Sequence, residues 1–171
     1  MNRRHFFLTS AAAANAAFGQ TASKQVNTAM IGTGNRGSYV LQGILEQPAA
    51  HVSAVCDIKP DRLDKAATAA AKHIPKTYTD WRKVIDSKDV EAVFVATPPH
   101  LHAEMASAAL KAGKHVYCEK PIGVTAEHVK QLVAAAKQSK TVFMVGQQLR
   151  SHRQLTEAIG KIHSGAIGDL M

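Results

Sequence analysis

Residues 29–37 read Ala-Met-Ile-Gly-Thr-Gly-Asn-Arg-Gly. A short apolar run here passes directly into glycines at 32, 34 and 37, which is GxGxxG placed after a predicted strand. Segment 36–47 carries Tyr39, Val40, Ile44 and Leu45 at helical spacing. A second apolar run, 52–56, ends at Asp57, twenty positions after the last glycine. Strand, glycine turn, helix, strand and acid fit into roughly thirty residues, the context that separates a dinucleotide-binding unit from an ordinary glycine turn.

Each residue type has a physical reason in that reading. Gly32 lets the chain turn sharply out of the strand, Gly34 lets a pyrophosphate approach the backbone, and Gly37 lets the helix pack close to the sheet. Asn35 and Arg36 open the helix, whose first N–H groups have no partner within it and carry partial positive charge toward a phosphate. Asp57 is placed to accept from the adenosine ribose hydroxyls, which favours NAD because a carboxylate repels a 2′-phosphate. Lys59 and Arg62 follow closely and leave NADP open.

Beyond this unit, strands alternate with helices. Helices are expected over 60–73, 81–86, after His102 with Met105, Ala109 and Leu110 to the stop at Gly113, over 125–139 and over 151–164. Strands are expected at 77–78, 90–96, 115–118 and 141–145. The pattern predicts an α/β fold with a doubly wound parallel sheet. Ligands in such sheets bind beyond the carboxyl ends of the strands, and the polar clusters fall there: 32–37, Asp57, 97–102, 119–121 and 147–150.

The first 23 residues read as an export signal rather than structure. Arg3 and Arg4 precede Phe6, Phe7 and Leu8 and an alanine-rich run. The segment resembles a twin-arginine signal, departing from the usual pattern at Asn2 and Leu8, so a periplasmic or exported protein is expected, with no membrane anchor. The formal charge is +8, or +6 without this segment, and its basic residues are scattered among few aromatics, which gives no nucleic-acid footprint. Cys56 and Cys118 end the second and fifth strands. With two strands between them, at ~4.8 Å per strand, they lie about 14 Å apart, too far for a disulfide.

The clusters together resemble the Gfo/Idh/MocA family of glucose–fructose oxidoreductase and inositol dehydrogenase. The matching elements are GTGNRG at 32–37, VCD ending at Asp57, TPPHLH at 97–102, CEKP at 118–121 and VGQQLR at 145–150. The family's usual asparagine in the Thr-Pro element is replaced by Pro99 or His100. The resemblance covers residue 26 onward and implies a Rossmann domain over 26–150 that binds NAD or NADP. It implies that Lys120 is the catalytic residue beside the nicotinamide, that Glu119 contacts the cofactor or orients Lys120, and that Thr97, Pro98, His100, His102 and Gln147 line the cofactor. His100 and His102 have no third ligand of suitable context, so no metal is expected. The resemblance implies a sugar or polyol substrate and a homo-oligomer in the full-length form. Family members continue into a second α/β substrate domain. Residues 151–171 are expected to be a helix and the start of that domain, making the chain a fragment that does not turn over substrate alone. A redox-type glycosidase and a non-catalytic nucleotide-binding module are the alternative readings.

Overall fold

The computed structural model describes residues 24–168. The proposed export signal, 1–23, and the last residues, 169–171, lie outside the described part. Strands are β1 (Val26–Ile31), β2 (Ala50–Cys56), β3 (Lys76–Tyr78), β4 (Ala92–Val95), β5 (His115–Cys118) and β6 (Phe143–Val145). Helices are α1 (Asn35–Leu45), α2 (Pro60–Ala69), α3 (Trp81–Asp86), α4 (Pro99–Lys111), α5 (Ala126–Gln138) and α6 (Arg153–His163). The sheet order is β3-β2-β1-β4-β5-β6, and each adjacent pair is parallel. This is the doubly wound order, with its switch point between β1 and β4.

The alternation of side chains along β1 explains why helices cover both faces. Met30 points to one face and packs with Val52, Val55, Leu41, Ile44 and Leu63, under α1 and α2. Ala29 and Ile31 point to the other and pack with Val93, Val95, Met105, Ala106, Leu110 and Leu132, under α4 and α5. Removing a side chain such as Leu41 or Leu132 from water contributes about 2 kcal/mol, so both layers are held by ordinary apolar burial. Local chemistry sets the boundaries. Asp80 accepts the Arg82 N–H at the start of α3, Thr125 accepts the His128 N–H at the start of α5, and Gly113, at φ +75°, ends α4.

Some boundaries differ from the sequence expectation. The helix after Pro60 ends at Ala69 instead of running to 73, and residues 71–73 form a tighter turn. There the His73 ring accepts the Val52 N–H, pulling the chain back toward β2. β6 starts at Phe143 instead of 141, because the Thr141 N–H is taken by Ser139 and its hydroxyl donates to the Lys114 carbonyl. The last helix starts at Arg153, after a tight turn at 148–151. On it Leu155 and Ile159 are 41% and 50% exposed, and Ile162 is half-buried.

Cys56 and Cys118 are free and buried, and burial pushes both thiols up to about 12. Among the described residues no helix is long and apolar enough to cross a membrane.

Candidate functional site

A cleft of about 460 Å³ opens at the carboxyl ends of β1, β2 and β4. The glycine turn forms its floor. Gly32 stands at φ +85°, and a Cβ there would meet the Ala96 carbonyl and the Thr97 nitrogen at 2.8 Å. Its N–H donates to the Cys56 carbonyl, so the turn is wedged between the ends of β2 and β4. A Cβ on Gly37 would run into the Gly32 carbonyl. Gly34 precedes α1 with no side-chain cap and no acid in the first turn. The first N–H groups of α1 therefore face the cleft without a side-chain acceptor.

Asp57 is 7% exposed and sits beneath the same turn. Its Oδ2 accepts the Thr33 N–H at 2.7 Å and the Thr33 hydroxyl at 3.2 Å, while Oδ1 accepts the Lys59 N–H at 2.9 Å. A carboxylate has about four acceptor positions, so roughly one remains for an incoming hydroxyl. The residues fit a dinucleotide: open helix N–H groups for the pyrophosphate, no Cβ at Gly34, and a fixed acceptor for the ribose.

Gly32, Gly34, Asn35, Arg36, Asp57, Thr97, Pro98 and His100 line the cleft. Gly37, His102, Glu119, Lys120 and Gln147 do not. Gly37 shapes the turn from below. Lys120 and Gln147 are exposed, beyond the ends of β5 and β6. His102 corrects its expectation as a cofactor-lining residue: it is 1% exposed, and its ring nitrogens lie 2.7 Å from the Thr97 and Pro121 carbonyl oxygens. It ties the loop after β4 to the loop after β5, and it does not converge with the exposed His100.

Glu119 is 4% exposed and belongs to a compact polar cluster. Its Oε1 accepts from Arg36 Nε at 2.7 Å, from the far guanidinium nitrogen at 2.6 Å, and from the Tyr117 hydroxyl at 2.8 Å. Burial pushes the Glu119 carboxyl up, but the hydrogen bonds from Arg36 and Tyr117 outweigh it and hold the group below the usual carboxylate range. The bond to Glu119 raises Arg36 in turn, and burial together with its own bond to Glu119 raises Tyr117.

Sequence reasoning missed Thr33, Tyr117, Ile58 and Trp81. Ile58 and Trp81 line the cleft. Tyr117 was open to recognition, because residues two apart on a strand share a face and Glu119 follows it by two. Trp81 reaches the cleft only because β3 lies beside β2, which local sequence does not state.

An α/β sheet with an uncapped glycine turn at its switch point and a fixed acid at the next strand end defines a nucleotide-binding domain. The family described as "Oxidoreductase family, NAD-binding Rossmann fold" matches residues 26–147, and the chain belongs to this Gfo/Idh/MocA family. It is 33% identical to a glycosyl hydrolase family 109 protein of Stenotrophomonas maltophilia, over 100% of this chain and 41% of that protein. It is 35% identical to levoglucosan dehydrogenase of Pseudarthrobacter phenanthrenivorans, over 86% of this chain and 40% of that one. The crystal structure of scyllo-inositol dehydrogenase from Lactobacillus casei, with bound NAD(H) and scyllo-inositol, superposes with a TM-score of 0.80 at 27% identity. That match covers 85% of this chain and 43% of the dehydrogenase. The chain thus spans about two-fifths of the length of these relatives.

Proposed function

We propose that this NAD-binding domain serves hydride transfer between the nicotinamide and a hydroxyl-bearing carbon of a sugar or polyol, in a protein of the relatives' length. The observation that carries the reading is Lys120, an exposed lysine directly after the fixed Glu119 at the end of β5. Bound dinucleotide supplies or accepts the hydride. The protein's own part is to hold the pyrophosphate at α1, take one ribose hydroxyl on Asp57, and place the Lys120 ammonium at the substrate oxygen. In the oxidising direction the Lys120 amine takes the hydroxyl proton as the hydride leaves for the nicotinamide, and in the reducing direction the ammonium returns that proton to the oxygen as the hydride reaches the carbon. NAD is the preferred form, because the Asp57 carboxylate at the end of β2 would repel a 2′-phosphate.

Calorimetry on the chain from residue 24 checks this reading. Expected are one NADH site per chain and no steady NADH production from sugars, because nothing in 24–168 closes over the reacting carbon. A folded sample that takes up no NADH would sink the reading. Steady turnover that Lys120→Ala abolishes would overturn the second half.

A second reading is supported by the 33% identity to the family 109 glycosyl hydrolase protein over this whole chain. A redox-type glycosidase oxidises a sugar transiently and returns the hydride, so it releases aglycone without net NADH. A protein of the relatives' length distinguishes the two by whether NADH accumulates. Export is also proposed, from Arg3 and Arg4. Replacing both with lysine should leave a reporter fusion in the cytoplasm, and unchanged export would remove the twin-arginine reading.

A further inference from the structure

Among the described residues nothing pairs with the Lys120 ammonium, yet the residues on both sides of it are held. On one side Glu119 divides its carboxylate between two tasks. Oε1 takes Arg36 and Tyr117, and Oε2, at 3.3 Å, takes the Lys120 backbone N–H. Arg36 places both of its bonding nitrogens on the one oxygen, which leaves the other for Lys120. On the other side the Pro121 carbonyl is held by the buried His102 ring, whose second nitrogen meets the Thr97 carbonyl. Gly146 closes the cluster: a Cβ there would stand 2.6 Å from the Tyr117 hydroxyl and 2.9 Å from Glu119 Oε1.

The ion pair is only half-buried, with the Arg36 side chain 40% and the Glu119 side chain 5% exposed, and such a pair adds little stability by itself. Its geometry here does something apolar packing does not: it references the Lys120 main chain to the first turn of α1, where the pyrophosphate is held. From this arrangement we propose that Arg36, Glu119 and Tyr117 form a positioning device for Lys120, and that Arg36 is the counter-ion of Glu119 and not a phosphate ligand. The inference rests on the dinucleotide reading given above and goes beyond it in the role of these three side chains.

The test compares NADH with ADP-ribose, which lacks the nicotinamide, by calorimetry on the chain from residue 24. Arg36→Met and Glu119→Gln should each weaken NADH about fivefold, the loss of one net hydrogen bond. ADP-ribose should stay within about twofold, and the double variant should be no worse than either single one, because both remove the same link. The Lys120 amide, followed by NMR hydrogen exchange, should exchange faster in each variant. Should Arg36→Met not fold, Tyr117→Phe and Glu119→Gln carry the same comparison. If Arg36→Met weakens ADP-ribose as much as NADH while Glu119→Gln leaves both intact, Arg36 is a phosphate ligand and the proposal falls. It also falls if the variants leave NADH binding and Lys120 exchange as in the parent. A parent chain that binds neither ligand overturns the dinucleotide reading itself, a result distinct from any failure confined to the variants.

Discussion

Gly32→Ala and Gly37→Ala should each give a chain that melts about 10 °C lower and binds no NADH, whereas Gly34→Ala should melt close to the parent and still bind NADH about tenfold more weakly or worse. The three glycines of one motif differ in what a Cβ would meet. At Gly32 it meets main-chain atoms of Ala96 and Thr97 at 2.8 Å, in a backbone conformation that L side chains rarely adopt. At Gly37 it meets the Gly32 carbonyl. Neither obstacle can swing away, because both belong to the packed ends of β1 and β4. Strain of this kind costs about 3 kcal/mol, and at ~2–4 °C per kcal/mol for a domain of this size that is roughly 10 °C. At Gly34 the nearest atom is the tip of Arg62, 3.1 Å away, which can move aside. The stability cost there is a few tenths of a kcal/mol up to about 1 kcal/mol, for the poorer helix cap. The methyl group nevertheless occupies the approach to the α1 N–H groups, so NADH affinity should drop about tenfold or more. Circular dichroism melts and calorimetry on the three variants decide the matter. Three equal melting points, or Gly34→Ala binding like the parent, would contradict the division.

What the sequence disclosed about this site follows the range of the interactions. The β1–turn–α1–β2 unit is local, and its residues state their roles through spacing alone. Asp57 was legible as the acid after β2, but not its bond to the Thr33 N–H, which shows that the carboxylate supports the glycine turn. Arg36 reads from the sequence only as a residue of the cofactor-binding glycine turn, because its partner, Glu119, lies 83 residues further on. His102 reads as a site residue through its place in the Thr-Pro element. Its position on α4 argued otherwise, since Met105, Ala106 and Ala109 follow at helical spacing and make that stripe the buried face. Lys120 is the opposite case: the resemblance named it, while its surroundings, fixed on both sides by Glu119 and Pro121, needed three dimensions.

Asp57→Ala should abolish the discrimination between NAD and NADP and lower the stability of the domain. On the proposed reading the parent carboxylate takes a ribose hydroxyl of a dinucleotide held at α1. A unit charge about 5 Å from a 2′-phosphate, at an effective dielectric of about 20, costs roughly 3 kcal/mol. Lys59 and Arg62 line the same end of the cleft and offset part of that repulsion. A net preference for NAD of about tenfold should therefore be measured, well below the roughly 100-fold that the bare Coulomb figure gives. Removing the carboxylate deletes the ribose acceptor and the repulsion together. NAD should weaken by about tenfold or more, with the lost hydrogen bond to a charged group, and NADP should hold its affinity or gain. The Thr33 N–H loses its acceptor in a buried place, at about 1–3 kcal/mol, while the part-buried Lys59 N–H can turn to water, so the melt should shift down together with the change in preference. Asp57→Asn separates the two effects. It keeps the side-chain volume and one acceptor oxygen, so it should recover much of the stability while still losing the repulsion of NADP. Paired titrations of NADH and NADPH against parent, Asp57→Ala and Asp57→Asn measure both quantities. An unchanged NADH-to-NADPH ratio across the three would show that Asp57 serves the glycine turn alone and that the cofactor preference is set by Lys59 and Arg62.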